Sequence, residues 1–209
     1  MVRFLFMLAI WGVTGSATAE PLVLANWQIQ LQARPPGQAA EGKALFFERG
    51  CPACHGNQGI SEVKGMPVVA GQRDAYLFKI LLDYQSGRVE GATLMQGLLN
   101  GLDVNQLSNL SAWISTLSRP KPSRELPPPA IIEGDRARLI PACESCHGAD
   151  GQGWAFQPAI RGQDRKFLET VLTQFKSGAR SNDLNASMRF IARTLTDDEI
   201  KRLAGHYGR

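Results

Sequence analysis

Leu77, Ile80, Leu81 and Tyr84 recur at i, i+3, i+4 and i+7, the spacing that gathers apolar side chains on one face of an α-helix, and Gly87 stops the run. The same frame returns later in the chain. Tyr76-Leu77 is matched by Phe167-Leu168, and Tyr84-Gln85-Ser86-Gly87 by Phe175-Lys176-Ser177-Gly178. Ahead of each helix, Pro67-Val68-Val69-Ala70-Gly71-Gln72 aligns with Pro158-Ala159-Ile160-Arg161-Gly162-Gln163, 91 positions on. After each glycine a loop leads to Met95 or Met188, the second loop being two residues longer. Counting from these methionines pairs Leu102 with Leu195, Leu107 with Ile200, Leu110 with Leu203 and Trp113 with His206. Asp103 with Gln106, and Thr196 with Glu199, each set a capping residue three before Gln or Glu, the pattern that opens a helix. No alternating strand pattern stands out. The pattern predicts an all-α chain in which one helical module is built twice.

Residues 119–129 are proline-rich, which predicts an extended, semi-rigid linker between a first domain at 38–118 and a second at 130–209. Residues 1–19 read as a secretory signal peptide: Arg3 gives the positive start, residues 4–13 the apolar stretch, and Ala17-Thr18-Ala19 the cleavage site. Ten apolar residues are too few to span a bilayer. Residues 20–37 form an N-terminal extension that carries Trp27 and has no clear period.

Each module opens on a five-residue motif, Cys51-Pro52-Ala53-Cys54-His55 and Cys143-Glu144-Ser145-Cys146-His147. Together the two use all four cysteines and two of the three histidines. C-x-x-C-H is the attachment signature of c-type haem: two thiols on one helical turn add to the haem vinyl groups, and the adjacent histidine faces the iron. A zinc ribbon would place its second C-x-x-C within about 20 residues, whereas these motifs lie 92 apart. A thioredoxin-like pair would need no histidine after either motif. The chain is therefore expected to hold two covalently attached haem c groups, with Cys51, Cys54, Cys143 and Cys146 as attachment points. His55 and His147 are the expected iron ligands. A module of about 80 residues is small for a core of its own, and a haem would supply much of the missing apolar burial.

Methionine sulfur is the usual sixth ligand where a high reduction potential is needed. Met95 and Met188 occupy equivalent repeat positions and are the candidates. Met66 faces Gln157 in the repeat and reads as packing. His206, the one remaining imidazole, aligns with Trp113 and also reads as packing, although a second haem with two histidine ligands would require it.

The formal net charge is +4, and removal of Arg3 with the signal leaves 22 basic and 19 acidic residues. Haem propionates bring this nearer to neutral. No basic run points to nucleic acid.

The sequence of C-x-x-C-H, P-x-x-x-G-Q, Tyr or Phe before Leu, helix, glycine, methionine and final helix, present twice around a proline-rich linker, resembles the dihaem cytochrome c4 family from about Gly42 to Tyr207. The resemblance implies two tandem class I cytochrome c domains whose haems approach across the interface. It implies the carbonyls of Pro67 and Pro158 as acceptors for the proximal histidines, and supports Met95 and Met188 as sixth ligands. It also implies a periplasmic carrier that moves electrons from a quinol-oxidising cytochrome bc complex or a dehydrogenase towards a terminal oxidase. Peripheral association with the membrane is compatible with that role. Related tandem modules serve as the electron-accepting subunit of flavocytochrome c type dehydrogenases, a second reading. A dihaem peroxidase or a thiosulfate dehydrogenase is a third, set back because one needs an openable iron and the other resembles enzymes with a cysteine ligand, and every cysteine here is committed to attachment.

The sequence departs from the family in two places. His206 stands where Tyr or Phe is usual, and the first helix expected in the second module offers Gly134 and Arg138 where the first offers Gly42 and Phe46. Looser closure of the second domain is expected from these. Arg161 replaces Ala70 in the loop against the haem, and a lone cation there would raise the potential of the second haem above the first.

Overall fold

The computed structural model describes residues 31–123 and 128–209. The expected signal peptide, most of the expected N-terminal extension and the centre of the expected linker lie outside the described residues. The first half contains α1 (Ala39–Glu48), the short α2 (Pro52–His55), α3 (Asp74–Gln85), α4 (Thr93–Leu99) and α5 (Val104–Thr116). The second contains a 3-10 turn (Ala130–Glu133), α6 (Glu144–His147), α7 (Arg165–Ser177), α8 (Ser187–Thr194) and α9 (Asp197–Tyr207). Among the described residues there is no strand longer than an isolated bridge. No helix there is long and apolar enough to cross a membrane.

The capping signals read in the sequence open the final helices. Asp103 accepts from the Gln106 amide and Gln106 returns the bond to the Asp103 amide; Thr196 and Glu199 do the same at α9. Each exchange satisfies amides that the helix start leaves without partners. In the first half, α1 crosses α5 at Gly42, where a Cβ would meet the Asn109 carbonyl at 1.9 Å, so only glycine permits the approach. Phe46 then stacks on Trp113 at 4.7 Å between centroids. These helices close a core of Leu45, Phe46, Leu77, Phe78, Leu81, Leu107, Leu110 and Trp113. The end of the N-terminal extension is tied to this core: Arg34 donates to Asp74 at 2.8 Å and Ser108 at 2.7 Å and lies over the Phe78 ring.

The second half lacks the helix expected at Gly134 and Arg138. Gly134 takes φ +86°, and the chain turns back on itself through an antiparallel bridge of Asp135 with Ile140. Pro141 accounts for this in part, since it disfavours helical backbone at Ile140 and removes a donor where the first half has Arg49. The looser closure expected there is not what forms. Ile131 and Ile140 are buried against Leu195, Ile200, Leu203 and Tyr207. Arg138 clamps the turn to α9, donating to both carboxylate oxygens of Glu199 at 2.9 and 2.6 Å, to the Thr194 carbonyl at 3.0 Å and to Asp135 at 2.7 Å.

The halves meet through their equivalent loops, in reciprocal fashion. Gln72 donates to the Ala159 carbonyl at 3.0 Å and accepts from its amide at 2.7 Å. Its repeat counterpart Gln163 donates to the Val68 carbonyl at 3.0 Å and accepts from that amide at 2.5 Å. Val68 and Ala159 are themselves counterparts, so the four bonds obey a two-fold relation. Residues 119–123 do not run free between the halves. Arg119 donates to the carbonyls of Ala70, Ala159 and Arg161, and the Ser123 amide to Gly208.

Arg138→Ala should lower the stability of the holoprotein slightly near neutrality, since a solvent-screened ion pair with a carbonyl bond is worth little. The Arg138 hydrogen bonds hold the Glu199 carboxyl down to about 2 from an ordinary 4.5. A depressed acid stabilises the fold above its unfolded value and loses that contribution as the pH falls through the folded one. The gap between wild type and variant in denaturant unfolding should therefore close from pH 4.5 towards 2; a gap that widens on acidification would contradict the assignment.

Candidate functional site

Cys51 precedes α2 with helical backbone angles, φ −53° and ψ −34°, and Gly56 at φ +73° ends the helix after a single turn. Cys143 and Gly148 frame α6 in the same way. Cysteines three apart on one turn present their sulfurs on one side, and the histidine that follows projects from the same short helix. Cys51 packs against the first core and Cys143 against the second, and burial pushes both thiols up. All four cysteines are free of disulfides. Among the described residues, no group of three or more His, Cys, Asp or Glu side chains converges as a metal site.

Each histidine is held by the proline carbonyl that the resemblance implied. His55 Nδ1 lies 3.1 Å from the Pro67 oxygen, and His147 Nδ1 2.8 Å from that of Pro158. A carbonyl only accepts, so Nδ1 carries the proton and Nε2 keeps its lone pair. Burial pushes both imidazoles below their ordinary value, against a smaller opposing effect of the proline bond. Each ring is thus neutral near pH 7, with one nitrogen fixed and the other available to a metal. The loops carrying the prolines are pinned in turn. Val69 and Ala70 donate to Gly59, and Ile160 and Arg161 to Gly151, at 2.8 to 3.0 Å.

Met95 lies half-buried on α4 and packs against the core that also receives Cys51. Met188 is half-buried on α8, one turn before Ile191, which packs against the second core. Met66 is 37% exposed, as packing at a surface would have it. His206 is buried on α9, its ring 4.8 Å from that of Tyr207. The aromatic that closes the second motif is Tyr207 itself. Its ring covers Gly151, and its buried hydroxyl lies beside the Cys143 sulfur. Trp113 and His206 keep their pairing in the fold, since the next residue in each half, Ile114 or Tyr207, accepts from the equivalent loop amide of Gly71 or Gly162.

Arg161 is not the lone cation that the sequence suggested, because its guanidinium lies 3.3 Å from Asp150. The carboxylate cancels much of its field, and the argument for a higher second potential loses its basis. Gln72, Gln163 and Arg119 were legible only as motif and linker residues, with nothing local to reveal that they join the halves.

These neutral, anchored imidazoles beside paired thiols suit haem in both halves. When bound, haem supplies a one-electron couple at its iron; the chain attaches it, ligates it and shields it from water. Residues 39–118 match the family model of cytochrome c. The chain is 32% identical to cytochrome c4 of Azotobacter vinelandii over 187 residues, covering 80% of this chain and 86% of that protein. It is 28% identical to a protein of Stutzerimonas stutzeri strain A1501 named thiosulfate dehydrogenase electron acceptor, over 81% of this chain and 86% of that one. The fold superposes on the crystal structure of reduced recombinant cytochrome c4 from Pseudomonas stutzeri with a TM-score of 0.74 at 30% identity, covering 82% of this chain and 97% of that one. The chain is an electron-transfer protein with covalently bound haem c, its two C-x-x-C-H motifs providing the attachment points. It belongs to the dihaem cytochrome c4 family.

Proposed function

We propose that this protein is a periplasmic carrier with two six-coordinate haems, one in a domain at 38–118 and one in a domain at 130–209. His55 and Met95 ligate the first iron, His147 and Met188 the second. It takes electrons from a quinol-oxidising cytochrome bc complex or a dehydrogenase and passes them to a terminal oxidase. The observation that carries this reading is the duplicated histidine anchor, one neutral imidazole per half on an equivalent proline carbonyl. Iron with two protein ligands has no open position for a substrate, and it changes oxidation state with little rearrangement. A loop pinned at several backbone positions keeps that rearrangement small.

A second reading, the electron-accepting partner of a dehydrogenase, is favoured by the Stutzerimonas stutzeri relative of that name, which aligns over most of both chains. In the two readings the haems do the same chemistry and the donor differs.

Met95→Ala and Met188→Ala should each remove the methionine-to-ferric-iron charge-transfer band of one haem and lower its potential, whereas Met66→Ala should do neither. Loss of a band on changing Met66 would show the repeat alignment to be wrong in the first half. The donor is settled by stopped-flow reduction of the oxidised holoprotein. Fast reduction by a purified cytochrome bc complex with quinol supports the respiratory reading. Reduction only by a dehydrogenase with its substrate, thiosulfate dehydrogenase being the one to try first, supports the second.

A further inference from the structure

The loops that lead to Met95 and Met188 share one anchor. On α3, Asp83 is 1% exposed and forms an ion pair with Lys79, itself 5% exposed. Arg88 joins the pair from the loop ahead of Met95: its guanidinium donates to Oδ1 of Asp83 at 3.3 Å, and its amide to the Asp83 carbonyl at 2.9 Å. From the other half, the longer loop ahead of Met188 reaches the same carboxylate. The Asn182 side chain donates to Oδ2 of Asp83 at 2.9 Å, and the Asn182 carbonyl accepts from Lys79. One buried pair of the first half thus holds both the side chain and the backbone of Asn182.

The grip extends from Asn182 to Met188. Asp183, the next residue, accepts from the Arg189 amide at 2.9 Å and from Arg189 Nε at 2.7 Å, and Arg189 directly follows Met188 on α8. Between these points the chain turns through Asn185 and Ala186, at φ +56° and +55°. Left-handed backbone at two successive residues with side chains is unfavourable, and it persists where the surrounding contacts impose it. The contact behind this turn belongs to the first half.

The arrangement is built on one side of the two-fold relation only. The counterparts of Lys79 and Asp83 on α7 are Thr170 and Gln174. Arg180 donates its amide to the Gln174 carbonyl at 3.1 Å, as Arg88 does to Asp83, but the position offers no carboxylate to gather a loop from the opposite half.

We infer that Asp83 is a positioning residue for both methionines, and that Met188 takes part of its support from the first half. The inference rests on the proposed ligation of iron by Met95 and Met188. A hydrogen-bonded partner behind a ligand fixes its orientation without touching the metal, and here one carboxylate stands behind two ligands through a contiguous set of bonds. A methionine whose loop is released leaves the iron more often, so an external ligand replaces it faster.

The test is the rate at which cyanide abolishes the methionine-to-ferric-iron band in holoprotein carrying two haems by mass. Met95→Ala leaves only the Met188 band to follow, and Met188→Ala only the Met95 band. On the first background Asn182→Ala should speed the loss about fivefold, the factor that one hydrogen bond of ordinary strength carries. On the second background it should change nothing. Asp83→Asn, which removes the charge and keeps the shape, should speed the loss on both. A Met188 band lost at the parent rate in Asn182→Ala, or a Met95 band speeded equally by that change, would overturn the inference, and so would Asp83→Asn acting on Met95 alone. Should Asp83→Asn fail to retain both haems, Asn182→Ala decides alone. If Met95→Ala and Met188→Ala do not each remove one band, the ligation reading itself fails and this inference with it.

Discussion

The relation between the two halves rests on one side-chain amide used twice. Gln72 and Gln163, 6% and 5% exposed, each exchange two hydrogen bonds with the backbone of the opposite loop. A backbone pair left buried without such a partner would cost about 1 to 3 kcal/mol for each unsatisfied group, so sliding one half over the other is disfavoured. The loops involved are those whose prolines hold His55 and His147. Orientation of the two imidazoles and docking of the halves are therefore one structural fact. A carrier with two haems gains from this, since transfer between them depends on a separation that thermal motion must not alter.

Around this two-fold core the halves diverge. The first is closed by α1 crossing α5 at Gly42, with Phe46 on Trp113. The second replaces that helix with a turn, closed by Arg138 on Glu199 and by Tyr207 over Gly151. A hydrophobic clamp in one half is answered by an ionic one in the other, and the haem motif keeps the same geometry in both. The motif does not depend on how its module is closed, provided that the proline loop stays pinned.

What could be read from the chain was local or periodic. The stripe of α3, the capping boxes of α5 and α9 and the C-x-x-C-H motifs each span a few residues, and their physics is complete within that span. The missing helix at Gly134 and Arg138 shows where a repeat argument fails: alignment carries a helix across, but Pro141 changes the local backbone preference. The junction was out of reach for another reason. Gln72 meets Ala159 across 87 positions, and the buried pair of Lys79 and Asp83 meets Asn182 from the other half. The Arg161 argument failed likewise. Asp150 is eleven positions away and approaches only because the proline loop folds back onto the haem motif.

The reciprocal glutamine bonds are the claim on which this account stands, and pulsed dipolar EPR between the two ferric irons tests it most directly. Wild-type holoprotein should give one narrow iron–iron distance distribution. Gln72→Ala with Gln163→Ala should broaden that distribution while leaving two haems and the helical content in place. A broad distribution in the wild type, or one in the double variant as narrow as the wild type's, would contradict the account.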